Sequence, residues 1–489
     1  MQGSVRAPEI LRSGIEWFNV ARPLSLQSLR GKVVILDFWT FCCINCMQIL
    51  PSLRKVEEAF PEEVAVIGVH SPKFTAEHDG RTVAHAIARY GITHPVAHDP
   101  EFQLWKSFAV RAWPTLVFIA PDGSVVGQHS GEPDPEKLLQ AVREMIERAR
   151  NGGQLKPSPL PLAGTSTADG ALAFPGKMKP LATSTRLQRW AITDGGHHQI
   201  VMLSEKGREA GRIGSGALGF DDGNLRTATF NRPQGLICAA DVIYVADTGN
   251  HAIRKIDLAA GRVTTLAGMG RRGGALPQAA PSLETALASP WDLELDGDTL
   301  YFANAGTHQL GRIDLANGTA RALAGDGGEA IEDGPAAQAR LAQPSGLALS
   351  PDRSVLYFVD SETSSVRALR SGDAPAVQTL VGTGLFDFGH QNGDFVEARF
   401  QHPLGLCFAD GTLLVADSYN GVIRALDLET RRVSDFDDNE FFCADPVCLP
   451  AGEPAGVTAD AENVYMVDTN NHRIVAYEPR ERRYRTWFA

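Results

Sequence analysis

Along the first 150 residues, short apolar runs alternate with longer amphipathic stretches. Val33–Trp39, Val64–His70 and Thr115–Ile119 are almost wholly apolar, the pattern of strands buried on both faces. Residues 43–60, 82–90 and 134–150 read as helices. Pro121-Asp122-Gly123 marks a turn, after which residues 124–128 return as a fourth strand. Two apolar strands joined by a crossover helix predict a parallel βαβ core, and the Asp-Gly turn adds an antiparallel hairpin. The class of this part is an α/β sandwich, bounded at residues 1–150.

Residues 151–171 are rich in Gly, Pro, Ser, Ala and Thr and read as a linker making few contacts. From residue 172 to the end the chain repeats. One unit runs Pro233-Gln-Gly-Leu236, then the apolar strand Val242–Asp247, then Thr-Gly-Asn-His251, then Ala252–Asp257. The polar residue closing the apolar strand recurs at Asp194, Asp247, Asn304, Asp360, Asp417 and Asp468, in steps of 53, 57, 56, 57 and 51. A unit of that length holds about four short strands, which is one propeller blade. Six units predict a six-bladed, all-β propeller over 172–489. Tyr484–Phe488 can serve as the last blade's own outer strand, and the sequence leaves open whether a terminal strand is shared to close the ring.

Composition narrows the function classes. The 489 residues are 43% hydrophobic and 21% charged, as in soluble globular proteins, and no apolar stretch approaches a transmembrane length. The formal charge is −12, and residues 171–489 alone hold 29 Lys plus Arg against 40 Asp plus Glu. Neither nucleic acid nor an anionic membrane surface is an expected partner for so acidic a chain. The start of the chain lacks the layout of a signal peptide, and seven cysteines in this length do not make a disulfide framework. The expected compartment is the cytoplasm.

Three of those cysteines fall within Cys42-Cys43-Ile44-Asn45-Cys46, between a buried strand and a helix start. A helix N-terminus offers amide donors and a partial positive charge that favour a thiolate, the species that attacks disulfides. Cys43 and Cys46 are therefore the lead catalytic pair, Cys43 as nucleophile and Cys46 as resolving thiol. Cys42 is an accessory redox candidate, able to oxidise with a neighbour. A zinc site is the weaker reading, because zinc wants four ligands and no second CxxC or His pair lies nearby in sequence. No cofactor is expected.

With these motifs in hand, residues 20–150 resemble a thioredoxin-like domain of the TlpA type. Asp37 lies six positions before Cys43, where thioredoxins keep a buried acid, and Phe38-Trp39 follows it. Pro51 lies five positions after Cys46, and Trp113-Pro114-Thr115 matches the family's cis-proline segment. Cys42 departs from the usual tryptophan and Asn45 from the usual proline. Residues 172–489 resemble an NHL-repeat propeller. The whole, with its CCINC motif, resembles the thioredoxin-like, NHL-repeat-containing proteins. The resemblance implies that Asp37 sits beneath the dithiol and takes the proton of Cys46. It also implies that Pro114, in cis, presses against the sulfurs.

Asp247, His251, His308, Asp417 and His472 recur at repeat positions, and recurrence in every blade is the mark of structure rather than catalysis. No unique acid-Asn cluster is seen to break the repeat, and the Asp-Gly stretches at 221–223, 326–328 and 333–334 read as loops. Cys238 and Cys407 read as core residues. Cys443 and Cys448 read as free thiols, with a small disulfide loop as the alternative. The expected function is a thiol–disulfide oxidoreductase whose propeller is a platform for a protein partner or a disulfide-bearing protein substrate. The alternatives are a scaffold with a redox-inactive thioredoxin-like domain, and a propeller enzyme with a regulatory dithiol.

Overall fold

The computed structural model describes residues 5–164, 170–182, 188–437, 442–444, 447–449 and 451–489, apart from the side chains of 182–189 and 438–450. The chain divides into two units, Met1–Thr167 and Ala168–Ala489.

In the first unit, β1 (Glu16–Phe18), β2 (Val33–Trp39), β3 (Val64–His70), β4 (Val96–His98), β5 (Thr115–Ile119) and β6 (Val125–Ser130) form one sheet in the order β1-β4-β3-β2-β5-β6. The helices are α1 (Ile44–Ala59), α2 (Gly80–Tyr90), α3 (Gln103–Ser107) and α4 (Pro135–Asn151). β2 and β3 are parallel, from Val33 opposite Val64 to Trp39 opposite His70, with α1 as the crossover. β5 and β6 add the antiparallel hairpin.

The period-2 alternation of β2 explains its continuous apolar reading. Val34, Leu36 and Phe38 enter a core with Ile67, Val69, Leu104 and Phe108. Val33 and Ile35 enter the opposite core, with Ile49, Leu53 and Val56 of α1 and Leu138, Val142 and Ile146 of α4. Asp37 belongs to this second set by alternation, so its carboxyl faces the side that α1 covers. Pro51 lies inside α1. β1, β4 and α3 escape the sequence reading, because three to five residues are too few to establish a period.

The stretch expected to be a linker making few contacts differs in its first part. Leu155 packs against the α1–α4 core and Leu160 against the opposite one. Lys156 and Ser158 donate backbone bonds to Gly31 and Glu62 at 2.8 and 3.1 Å, and Ala163 donates to Asn19 at 2.9 Å. Two leucines within a Pro-rich composition anchor this segment to the first unit.

Among the described residues the second unit is six blade sheets of consecutive antiparallel strands and one two-stranded hairpin, Phe442–Ala444 with Val447–Leu449. The inner strands of the blades begin at Pro175, Leu236, Pro290, Pro344, Gly405 and Pro454. Blades 2 to 5 gain a two-residue outer strand, such as Gly223–Asn224. The closure left open by sequence is settled: blade 1 (Pro175–Ile213) and blade 6 (Pro454–Phe488) each use their own four strands. They join through side chains, with Met178, Trp190 and Val201 packed on Tyr465, Ile474 and Trp487. Phe174 donates its amide to His472 Nδ1 at 3.0 Å across this seam.

Candidate active site

The loop between β2 and α1 carries the three cysteines. Cys43 is the N-cap of α1, with extended backbone (φ −79°, ψ 111°). Its carbonyl accepts the amides of Cys46 and Met47 at 3.1 and 3.3 Å. Cys43 therefore stands at the amino end of a 16-residue helix, where the helix dipole concentrates positive charge. Cys43 is half-buried, whereas Cys46, one turn along, is fully buried. Both are free thiols, and their side chains are hydrogen-bonded to each other. Burial, and then the adjacent Cys43 sulfur, push the Cys46 thiol well above its ordinary range, and the Asp37 carboxyl adds to the effect.

Asp37 is completely buried, and neither carboxyl oxygen has a hydrogen-bond partner among the described residues. Desolvation alone pushes it up to about 8. An acid with that value beside a buried thiol can hold or accept a proton near neutral pH. Trp113-Pro114 is a cis peptide, Pro114 is buried, and its carbonyl accepts the Gly131 amide at 2.8 Å. The Trp113 ring packs against Trp105, tilted by 43° with centroids 4.6 Å apart.

Sequence reading missed a buried polar cluster behind the loop. Glu77, in a single 3₁₀ turn (Thr75–His78), is wholly buried. Its carboxylate accepts Thr40 Oγ1 at 2.7 Å, the Cys42 amide at 3.0 Å, the Lys73 amide at 2.6 Å and the Phe74 amide at 3.0 Å. Burial raises its pKa, against the opposing pull of those bonds. Glu77 thus fixes the backbone one residue before Cys43. Cys42 itself is 3% exposed, with its sulfur 3.7 Å from Thr40 Oγ1.

Beside this cluster, His98 Nε2 donates to the His78 carbonyl at 3.0 Å. In the neutral ring its Nδ1 then accepts, 3.2 Å from His70 Nδ1. His70 stacks on Phe41 at 5.3 Å, and burial holds it well below the usual histidine range. No sequence signal marks Glu77 or His70, because their burial comes from a turn and strand end closing over the cysteine loop.

The recurring propeller residues do the bracing expected of them. Asp247 accepts the Asn231 amide at 2.7 Å, Asn250 Nδ2 at 2.8 Å and the guanidinium of Arg254 at 3.0 Å. Asp417 repeats this with Gln401, Asn420 and Arg424. His251 and His308 each accept an amide of the next blade, from Ser289 at 3.0 Å and Gln343 at 3.1 Å. Blade 3 has Asn304 in place of the aspartate, and no arginine opposes it: Gly311 takes the position, against the Phe302 ring. Asp222 and Asp333 of the Asp-Gly stretches serve as counter-ions for the buried Arg254 and Arg367.

Cys238 and Cys407 fit their expected core placement only in part, since both also border the cavity at the propeller centre. Burial pushes both thiols up to about 12. Cys443 and Cys448 face each other in backbone register on a short hairpin. Their side chains lie outside the described residues, so neither expectation about them is addressed. Among the described residues, no helix is long and apolar enough to cross a membrane.

Comparison with known proteins places this geometry. A family profile described as thioredoxin-like matches residues 31–125. The Arabidopsis thaliana "Protein SUPPRESSOR OF QUENCHING 1, chloroplastic" is 38% identical over 501 residues, covering 97% of this chain and 46% of its own length. Human "NHL repeat-containing protein 2" is 36% identical over 501 residues, covering 94% of this chain and 68% of its own length. The chain thus spans about half of the plant relative and two thirds of the human one. Over the first unit, the "Thiol-disulfide oxidoreductase ResA" of Bacillus thuringiensis is 29% identical across 138 residues, 28% of this chain and 75% of that protein.

Proposed function

The chain belongs to the family of NHL repeat-containing proteins that carry a thioredoxin-like domain, and from that membership and the dithiol geometry we propose that it is a thiol–disulfide oxidoreductase. The observation that carries the reading is the asymmetry of the pair. A half-buried Cys43 caps a helix, a buried Cys46 is hydrogen-bonded to it, and an unpartnered Asp37 carboxyl raises the thiol further.

The chemistry follows from that asymmetry. The Cys43 thiolate attacks a substrate disulfide, forming a Cys43–substrate bond and releasing one substrate thiol, which takes a proton from water. Cys46 then gives its proton to the Asp37 carboxylate and attacks the Cys43 sulfur. The intramolecular disulfide forms, the second substrate thiol leaves, and the substrate has gained the two electrons the dithiol lost. Pro114 and the backbone at Trp113 flank the substrate. Cys42 is an accessory thiol, reporting oxidation of the loop. The propeller presents its rim to a protein partner or substrate, and a cytoplasmic setting would keep the dithiol reduced.

Trapping tests this. Cys46→Ser stops the reaction after the first step and holds the substrate as a mixed disulfide, whereas Cys43→Ser forms none. A full-length protein that reduces neither insulin nor a mixed-disulfide probe above the Cys43→Ser background leaves only a scaffold role.

A further inference from the structure

The propeller repeat is broken on the inner strands of blades 1 and 3. Counting from the proline that leads into or opens each blade's inner strand (Pro175, Pro233, Pro290, Pro344, Pro403 and Pro454), the second following position is Lys177, Gly235, Asp292, Gly346, Gly405 and Gly456. The four glycines make room. A Cβ on Gly405 would lie 2.8 Å from Lys177 Nζ, and one on Gly235 would lie 2.8 Å from Asp292 Oδ1. Lys177 reaches across the axis to the Leu404 carbonyl at 2.5 Å and to Asp292 Oδ2 at 3.5 Å. Asp292 is completed by the amides of Leu293 and Leu347. This inner pair is satisfied, and it crosses the channel as a plug.

Two residues further along each strand the side chains face the same way. Here the six positions are Lys179, Ile237, Glu294, Ala348, Cys407 and Thr458, and all six line a cavity of about 260 Å³. Its charged members behave differently from the plug. Lys179 and Glu294 come from blades 1 and 3, with Ile237 of blade 2 between them. They attract one another, yet they make no ion pair within 4 Å among the described residues. Glu294 accepts only the amide of Leu295, at 3.1 Å, and the Lys179 ammonium has no hydrogen-bond partner among the described residues. A cation and an anion are thus held apart in a half-buried cavity with apolar walls. Charges so placed are costly unless water or a ligand completes them.

We propose that this cavity is a binding site for a small zwitterion, an α-amino acid, with its carboxylate on Lys179 and its ammonium on Glu294. Ile237, Ala348 and Leu349 supply an apolar wall for its side chain, and Thr458 a hydroxyl. The volume lies just below the ~300–1,000 Å³ of typical small-molecule pockets, which suits a ligand of this size. A site charged with one group of each sign rejects ligands carrying only one.

Ligand-observed NMR and thermal shift on the full-length protein test the assignment, with glycine, alanine and leucine against acetate and methylamine. The amino acids bind at millimolar concentration or below and raise the propeller melting temperature; acetate and methylamine do not. Lys179→Met and Glu294→Gln each weaken binding about tenfold or more, the loss of one charge-assisted hydrogen bond. Their unliganded melting curves report whether they fold. Cys43→Ser leaves binding unchanged, which separates this site from the dithiol. The proposal is overturned by an absence of amino-acid binding to the folded protein, by binding that survives both substitutions, or by equal binding of acetate or methylamine alone.

Discussion

Asp37→Asn removes a titrating group and changes almost nothing else in shape. The carboxyl is wholly buried, has no hydrogen-bond partner among the described residues, and is pushed from 3.8 to about 8. At about 1.36 kcal/mol per pH unit, that shift is on the order of 5–6 kcal/mol of proton-linked free energy. The sign follows from which state holds the proton. Between pH 4 and 8 the unfolded chain has lost this proton and the native state keeps it, so stability falls as pH rises and levels off above about 8. The substituted amide cannot ionise, so the variant matches wild type near pH 4 and exceeds it by several kcal/mol at pH 9. Urea unfolding of the full chain across this range, with hydrogen-exchange mass spectrometry on peptides of β2, isolates the first unit. The same substitution removes the proton acceptor of Cys46, and insulin reduction at pH 9, where Asp37 is ionised, falls about 10²-fold, the lower end for general base catalysis. Identical pH slopes in variant and wild type would refute the placement of this acid in a dry site, and an unchanged reduction profile would refute its role as acceptor.

Glu77→Ala strips the Cys42 amide, Thr40 and two further amides of their acceptor, and costs roughly 3 kcal/mol of first-unit stability, read by the same exchange measurement. Its reductase activity falls too, because the loop before Cys43 loses its anchor; full activity would show that Glu77 does not position the loop. Asp417→Ala leaves the buried Arg424 without its innermost counter-ion and destabilises the propeller by roughly 3–5 kcal/mol in calorimetry. His198, His251 and His308 are held down at about 4 by burial. Their neutral form is therefore the native one. Propeller stability is complete above pH 6.5 and declines as pH falls from there to about 4, as unfolded histidines take protons that native ones refuse; melting curves across that window check it.

Much of the molecule was legible in one dimension. Val33–Trp39, Val64–His70 and Thr115–Ile119 appear with the boundaries their apolar runs indicate, because strands buried on both faces need apolar residues at every position. The six blades are legible because each repeat carries the same aspartate or asparagine at the same strand end, and each of these accepts an amide from the loop before its own blade. The strand, loop and helix that carry Asp37, Cys43 and Cys46 were legible because they form one continuous segment: β2 ends at Trp39 and Cys43 caps the helix that follows.

What tertiary structure alone decided are the contacts between segments that no period relates. Glu77 lies 35 residues from Cys42 and joins it only because a turn folds back over the loop. Leu155 and Leu160 turn an apparent linker into a strap because each finds a core to enter. Lys177 and Asp292 lie far apart in the chain, and neither looks exceptional in its own strand. Closing six blades around an axis brings them together, since only the ring sets which inner-strand positions share the channel.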